Sequence, residues 1–160
     1  MGDEGDLVAL RLDRGCRCFV VRRAGEVHAY GWLSSGPEWI GEVGLEIRPA
    51  VKEAYVWNCV TLPAHRLRGL FRALLLSIVD QARRDGCRRL WIGSLEKGLD
   101  GVIAGAGFEP VLIVRLAGEP GHRQRFVETA AGADPELAVV ARAAIGGGGP
   151  GSASFARRRH

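Results

Sequence analysis

Residues 60–75, V-T-L-P-A-H-R-L-R-G-L-F-R-A-L-L, contain a change of period. Just upstream, E-A-Y-V-W-N-C-V-T (Glu53–Thr61) is dense in β-branched and aromatic residues and ends at Pro63, which reads as a strand. Downstream, apolar residues at 71, 74, 75, 78 and 82 recur at helical spacing. Arg83, Arg84 and Gly86 then suit a helix end. Arg66, Arg68 and Gly69 stand between the two, at the mouth of the helix. The first N–H groups of a helix lack partners within it, and its dipole places partial positive charge there. A strand that runs straight into such a start is suited to hold a phosphate. Glycine lets the backbone approach the anion, and guanidinium groups add charge and forked donors. The pattern is neither G-x-x-x-x-G-K-[ST] nor G-x-G-x-x-G. A plain solvated helix start fits the same turn, so the order of the surrounding elements has to decide.

Working outward, residues 16–23 and 26–33 flank Ala24-Gly25 and read as a hairpin, with a shorter strand expected at 7–12. Residues 40–48 alternate polar and apolar and read as one strand. Beyond the helix, R-R-L-W-I-G (88–93) reads as a strand and 97–106 as a glycine-diluted helix. Gly107-Phe108 turns into a buried strand over 110–116, and residues 118–121 close a hairpin onto 123–129. Asp134-Pro135-Glu136 is an N-cap signature for a last helix that stops at Gly146. The tail 147–160 shows no periodicity and is expected to be disordered and dispensable for ligand binding. The expected division is a main domain over 1–132, a helix over 133–146 and a basic tail over 147–160.

A chain of 160 residues with 47% hydrophobic and 25% charged residues can bury a single core. No apolar run reaches the ~18 residues of a membrane span. The start, M-G-D-E-G-D, lacks the layout of a signal peptide, so a cytoplasmic location is expected. The net charge of +4 rests on 20 arginines against two lysines. No interleaving of aromatic and basic residues marks a nucleic-acid face, and neither nucleic acid nor membrane is expected as a partner. Cysteines at 16, 18, 59 and 87 form no zinc set and read as reduced thiols; no metal is expected.

R-L-R-G-L-F (Arg66 to Phe71) resembles the R/Q-x-x-G-x-G/A signature of the GNAT N-acetyltransferases. T-L-P-A-H before it, R-A-L-L after it and A-G-F-E-P (106–110) downstream are similar to the same family, covering roughly residues 16–116. The resemblance implies an α/β (α+β) fold: a twisted mixed sheet with flanking helices, split by a V-shaped gap that holds acetyl-CoA as co-substrate. It implies a pyrophosphate loop on the N–H groups of Leu67, Arg68, Gly69, Leu70, Phe71 and Arg72, with Arg66 adding charge. Pantetheine would lie along Cys59, Val60, Thr61 and Leu62. An amine of a small molecule or peptide would attack the thioester directly, with a backbone N–H steadying the oxyanion. The alternative is a catalytically degenerate module that binds CoA as a regulatory ligand.

Departures from the family pattern are specific. Phe71 replaces a usual Gly or Ala, Ile103 stands where many members carry a tyrosine acid, and Ser94-Leu95-Glu96 replaces a common asparagine. The N-terminal helices are missing or reduced, since about fifteen residues precede Cys16. A homodimer or partner chain would then complete the acceptor wall, or the site is open, or the chain is truncated. Candidate bases are Tyr55, Glu53 on the same strand face, and Glu46 on an adjacent strand. His65 reads as a packing residue, Trp57 and Asn58 as cleft residues, and Trp32, Trp39 and Trp91 as core.

Overall fold

Alternation sets the architecture, because successive strand residues face opposite sides of a sheet. The computed structural model of the chain describes residues 2–96, 98–118, 124–145 and 154–158. Helix α1 (Gly2–Asp13) leads into the hairpin β1 (Arg17–Arg23) and β2 (Glu26–Ser34). A small hairpin, β3 (Glu38–Ile40) and β4 (Leu45–Ile47), precedes β5 (Glu53–Thr61), α2 (Leu70–Arg84) and β6 (Arg89–Ser94). Then come α3 (Asp100–Gly105), β7 (Phe108–Ala117), β8 (Gln124–Thr129), α4 (Pro135–Ala144) and β9 (Ser154–Arg158). The main sheet runs β1-β2-β5-β6-β9-β7-β8. Its β5–β6 pair is parallel and the other pairs are antiparallel.

Both faces are covered. Ala54 and Val56 of β5, Leu90 and Ile92 of β6 and Leu33 of β2 pack under α2 and α3 with Leu74, Leu75, Ile78 and Ile103. The intervening Tyr55 and Trp91 face a second cluster, made by Leu45 and Ile47 of β4, Val111 and Val114 of β7, and Leu137 and Ala141 of α4. The α4 start is as the sequence predicts: the Asp134 carboxylate accepts from the N–H groups of Glu136 at 2.9 Å and Leu137 at 3.4 Å.

Three expectations change. Residues 7–12 are helical within α1, because Leu, Ala and Arg are strong helix formers and the segment lacks strict alternation. A single helix stands before β1 among the described residues. Residues 40–48 are not one strand: a 3₁₀ turn at Gly41–Val43 ends at Gly44 in the left-handed region (φ 56°), folding β3 back on β4. Glu46 therefore sits in a separate two-stranded sheet rather than beside β5. Residues 154–158, expected within a disordered tail, form β9 and pair with β6 and β7 on its two edges. The rest of the tail (147–153, 159–160), the helix stop at Gly146 and the turn at 119–121 lie outside the described residues.

A chain ended after Ile145 would expose the β6 and β7 edges that β9 pairs with. Its thermal midpoint should fall by more than about 6 °C, the shift expected for a loss of about 3 kcal/mol in a chain of this size. A melt within a degree or two of the full chain's would show that β9 contributes nothing.

Candidate functional site

The site begins where two strands part. β5 and β6 pair from Glu53↔Arg89 to Val56↔Ile92 and no further, although β5 runs on to Thr61. Beyond Ile92, the far edge of β6 is taken by β9. Trp57, Asn58, Cys59, Val60 and Thr61 thus present a strand edge with no neighbouring strand among the described residues. On the β2 side, Trp32↔Trp57 and Tyr30↔Val60 leave Asn58 and Cys59 both opposite Gly31, a β-bulge with Asn58 at φ 43°. Gly31 is needed there: a Cβ would stand 2.7 Å from the Cys59 sulfur and 3.2 Å from Leu74.

A cavity of about 670 Å³ occupies the split. Phe71, Leu99 and Ile103 line it from the α2–α3 side. Arg11 of α1 and residues 39–42 line it from the other face, with Tyr55 to Cys59 and Ile92 to Glu96 between. The cavity therefore passes through the sheet.

At one end, the turn before α2 has the form of an anion cradle. Leu67 (φ 59°) and Gly69 (φ 72°) are both left-handed, which aims successive backbone groups into one concavity. No side chain caps α2, and the Ala73 N–H donates to the Gly69 carbonyl at 3.0 Å. The N–H groups of Leu70, Phe71 and Arg72 are left without acceptors in the helix. A Cβ on Gly69 would meet no protein atom within 4 Å, so the positive φ, rather than crowding, calls for glycine. Arg66 Nε donates to the Thr61 carbonyl at 3.3 Å, tying the turn to the end of β5. Leu67 and Arg68 are exposed, and the Phe71 ring turns into the cavity. His65 stacks on His28 with ring centroids 3.6 Å apart, the packing role expected of it.

At the other end, the walls are held by a buried carboxylate. Glu38 of β3 pairs with Arg14 at 2.5 Å and accepts from the Cys16 thiol at 3.2 Å, joining the α1–β1 turn to β3. Arg11 lies 4.5 Å from the Trp57 ring and 5.1 Å from the Trp32 ring. With the Asn58 amide turned oxygen-inward, it accepts from both terminal nitrogens of Arg11 at 2.9 and 3.1 Å. Trp39, expected in the core, is 65% exposed and lines the cavity, while Trp32 and Trp91 are buried as expected.

The candidate bases separate. Tyr55 lines the cavity, but burial, with smaller effects from Cys59, Glu42 and Glu38, pushes its phenol well above the ordinary range. It stays protonated at neutral pH and donates rather than accepts a proton. Glu53 does not line the cavity: it is buried, paired with Arg89, and accepts from Trp91 Nε1 at 2.8 Å and the Ala50 N–H at 3.3 Å. Glu46 is engaged by Arg48 at 2.5 Å. The carboxylates on the cavity are Glu42 and Glu96. Glu42 and Arg11 were missed, since nothing local marks residues whose place depends on a hairpin and a helix packing over β5. Burial pushes the Cys59 thiol up to about 12, so no thiolate forms there near neutrality.

With this geometry in hand, comparison with known proteins is decisive for the family. The chain matches the model of the Acetyltransferase (GNAT) family over residues 3–103, and it belongs to that family. Among solved structures, it is similar to a ribosomal-protein-alanine N-acetyltransferase from Brucella melitensis (TM-score 0.62, 14% identity, covering 99% of this chain and 77% of that one). A putative acetyltransferase from Salmonella typhimurium, solved with its cofactor acetyl-CoA, gives 0.60 at 16% identity over 99% and 74%. A GNAT superfamily phosphinothricin acetyltransferase from Sinorhizobium meliloti, in complex with acetyl-CoA, gives 0.60 at 14% over 98% and 67%. At these identities the likeness concerns the fold. No curated protein matches the chain in sequence.

Glu53→Ala should cost about 2–4 kcal/mol in chemical denaturation, because it leaves the buried Trp91 indole N–H and the half-buried Arg89 guanidinium without their acceptor, whereas Glu46→Ala should cost less than about 1 kcal/mol. Equal, small losses for both would mean that Glu53 is not the clamp its partners imply.

Proposed function

We propose that the protein is an N-acetyltransferase that moves an acetyl group from acetyl-CoA to a primary amine of a small molecule or peptide by direct attack. The observation that carries this reading is the cavity through the split sheet, reached by Phe71 from the left-handed turn before α2 and lined on the other face by Arg11, Trp39, Glu42 and Trp57. The N–H groups at Leu67 to Arg72 would hold the pyrophosphate, with Arg66 and Arg68 adding charge. The unpaired edge of β5 from Cys59 to Leu62 suits pantetheine, which would bond to it as a strand does. Leu62 spends its N–H on the His28 carbonyl at 3.0 Å and its carbonyl on the His65 N–H at 2.8 Å, so the edge left for pantetheine is that of Cys59 to Thr61. The bulge at Asn58 and Cys59 turns backbone groups toward the split, where an N–H would steady the oxyanion.

Glu42 replaces Glu53 and Glu46 as the base, since it is the cavity carboxylate on the acceptor side. It takes a proton from the ammonium, directly or through water, and frees the lone pair. The nitrogen bonds to the acetyl carbon as the C–S bond breaks, and sulfur leaves as a thiolate that accepts the proton shed by nitrogen. Tyr55, neutral at the floor of the cavity, can donate a hydrogen bond but not serve as the base. The competing reading, CoA binding without turnover, draws on Ile103, an apolar wall where a hydroxyl acid would serve.

A cytoplasmic location belongs to the same proposal, supported by four unpaired thiols. So does a second copy or partner chain over α1, whose Leu7, Leu10 and Leu12 are exposed. Light scattering should then give twice the 17.2 kDa chain mass, or a monomer that pairs only with its partner.

Calorimetric titration with acetyl-CoA should show micromolar binding, weakened at least about tenfold in Arg66→Ala and Gly69→Glu, a change of ~1.4 kcal/mol. Glu42→Gln should keep that affinity and lose about a hundredfold in kcat with an accepted amine, the usual scale of a lost base. Binding without CoA release from any amine would favour the regulatory reading. Unchanged affinity in both loop variants would remove the cradle from the site.

A further inference from the structure

The acceptor end of the cavity contains a cation that the transfer chemistry does not use. Arg14, Arg17, Arg48, Arg83, Arg89 and Arg115 each pair with a carboxylate; several arginines pair with none among the described residues, and of these Arg11 is the one that lines the cavity. Its guanidinium is partly buried against two indoles and fixed by one amide oxygen, contacts that orient the charge without neutralising it. Desolvating a cation without a counter-ion is costly, and a fixed guanidinium is a two-pronged receptor for a carboxylate. The pyrophosphate cradle cannot be its counterpart, because Arg11 covers Trp32 and Trp57 on the face opposite Val56 and α2.

We propose that Arg11 binds a carboxylate of the acceptor, so that the substrate is an amino acid with an apolar side chain. This deepens the transferase reading and rests on it. The two charges of such a molecule meet opposite charges on one cavity: Arg11 for the carboxylate, and Glu42 and Glu96, neither paired with a cation among the described residues, for the ammonium. The exposed indole of Trp39, next to Ile40 on the same wall, offers the apolar side chain a surface. A site that pairs both charges also rejects a plain alkylamine, which would leave Arg11 unpaired.

The test compares L-phenylalanine, L-leucine and L-methionine with their own amides and decarboxylated amines, following CoA release. At least one acid should exceed both of its neutral-tailed counterparts at least tenfold in kcat/KM. R11M should erase that preference, mainly through KM for the acid, while calorimetric affinity for acetyl-CoA stays unchanged. R11K should recover part of it. Amides and amines used as well as every acid would overturn the inference while leaving the transferase intact; so would a preference that survives in R11M. A parallel calorimetric titration of the same acids into the CoA-loaded protein separates the two readings. Acid binding that needs Arg11, without CoA release from any amine, would sink the transferase and keep the carboxylate site; neither binding nor release would overturn both. Should R11M fail to fold, the acid-to-amide ratio in the unaltered protein still decides.

Discussion

Parallel pairing between β5 and β6 stops at Val56 and Ile92, and the rest of the site follows from that termination. Past that point β6 keeps β9 on its far edge and β5 keeps β2 on its own, while the two edges that face each other carry no strand among the described residues. An open edge of five residues inside a protein is costly unless something bonds to it. The bulge at Asn58 and Cys59 increases the twist of β5 at the divergence, and it is possible because Gly31 has no Cβ to strike the Cys59 sulfur. A single small residue on the neighbouring strand thus permits the geometry that opens the sheet.

Two buried carboxylates keep the opening rigid. Glu53 stands at the first β5–β6 register pair and grips both Arg89 and Trp91 of β6, clamping the short stretch of ladder that precedes the split. Glu38 does the same for the acceptor walls, gripping Arg14 and Cys16 so that α1 and β3 keep their spacing. Both are fully engaged, which is what makes a buried charge tolerable. Glu42, Glu96 and Arg11 line the cavity and have no charged partner among the described residues. Charges are thereby segregated: the buried carboxylates are paired, and the charges on the cavity have no ion pair among the described residues.

This segregation also explains what was legible in the sequence. The strand–turn–helix from Glu53 to Arg84 could be read because period, proline and glycine are local signals, and the anion cradle lies wholly within it. The N-cap at Asp134 was legible for the same reason. Glu53 looked like a base because it shares a face with Tyr55, and only the arrival of Arg89 and Trp91 from 36 and 38 residues away shows that it is consumed. Trp39 looked like core because it is tryptophan, yet a 3₁₀ turn ending at Gly44 folds its strand against β4 alone and exposes the ring. Residues 154–158 (S-F-A-R-R) follow a glycine-rich run and offer a single large apolar residue, Phe155, so a strand whose pairing depends on two long-range neighbours read as tail. Arg11 had no motif at all.

Ile103 raises the question of which proton matters most. A thiol leaving group has a pKa near 8.5, so its departure as thiolate at neutral pH is uphill by only about 2 kcal/mol. An alkylammonium near 10.4 must lose about 5 kcal/mol of protonation preference before it can attack. In the proposed transfer to an alkylamine, deprotonating the amine would therefore be the larger task, and a carboxylate on the cavity wall would address it while a hydroxyl on the α3 wall would not. A second effect acts in the same direction. A cation such as Arg11 near the acceptor lowers the pKa of a neighbouring ammonium, whereas the carboxylates of Glu42 and Glu96 raise it. On the proposed reaction, the balance of those three charges, more than the apolar residue at position 103, would set how much free amine the cavity presents to the thioester.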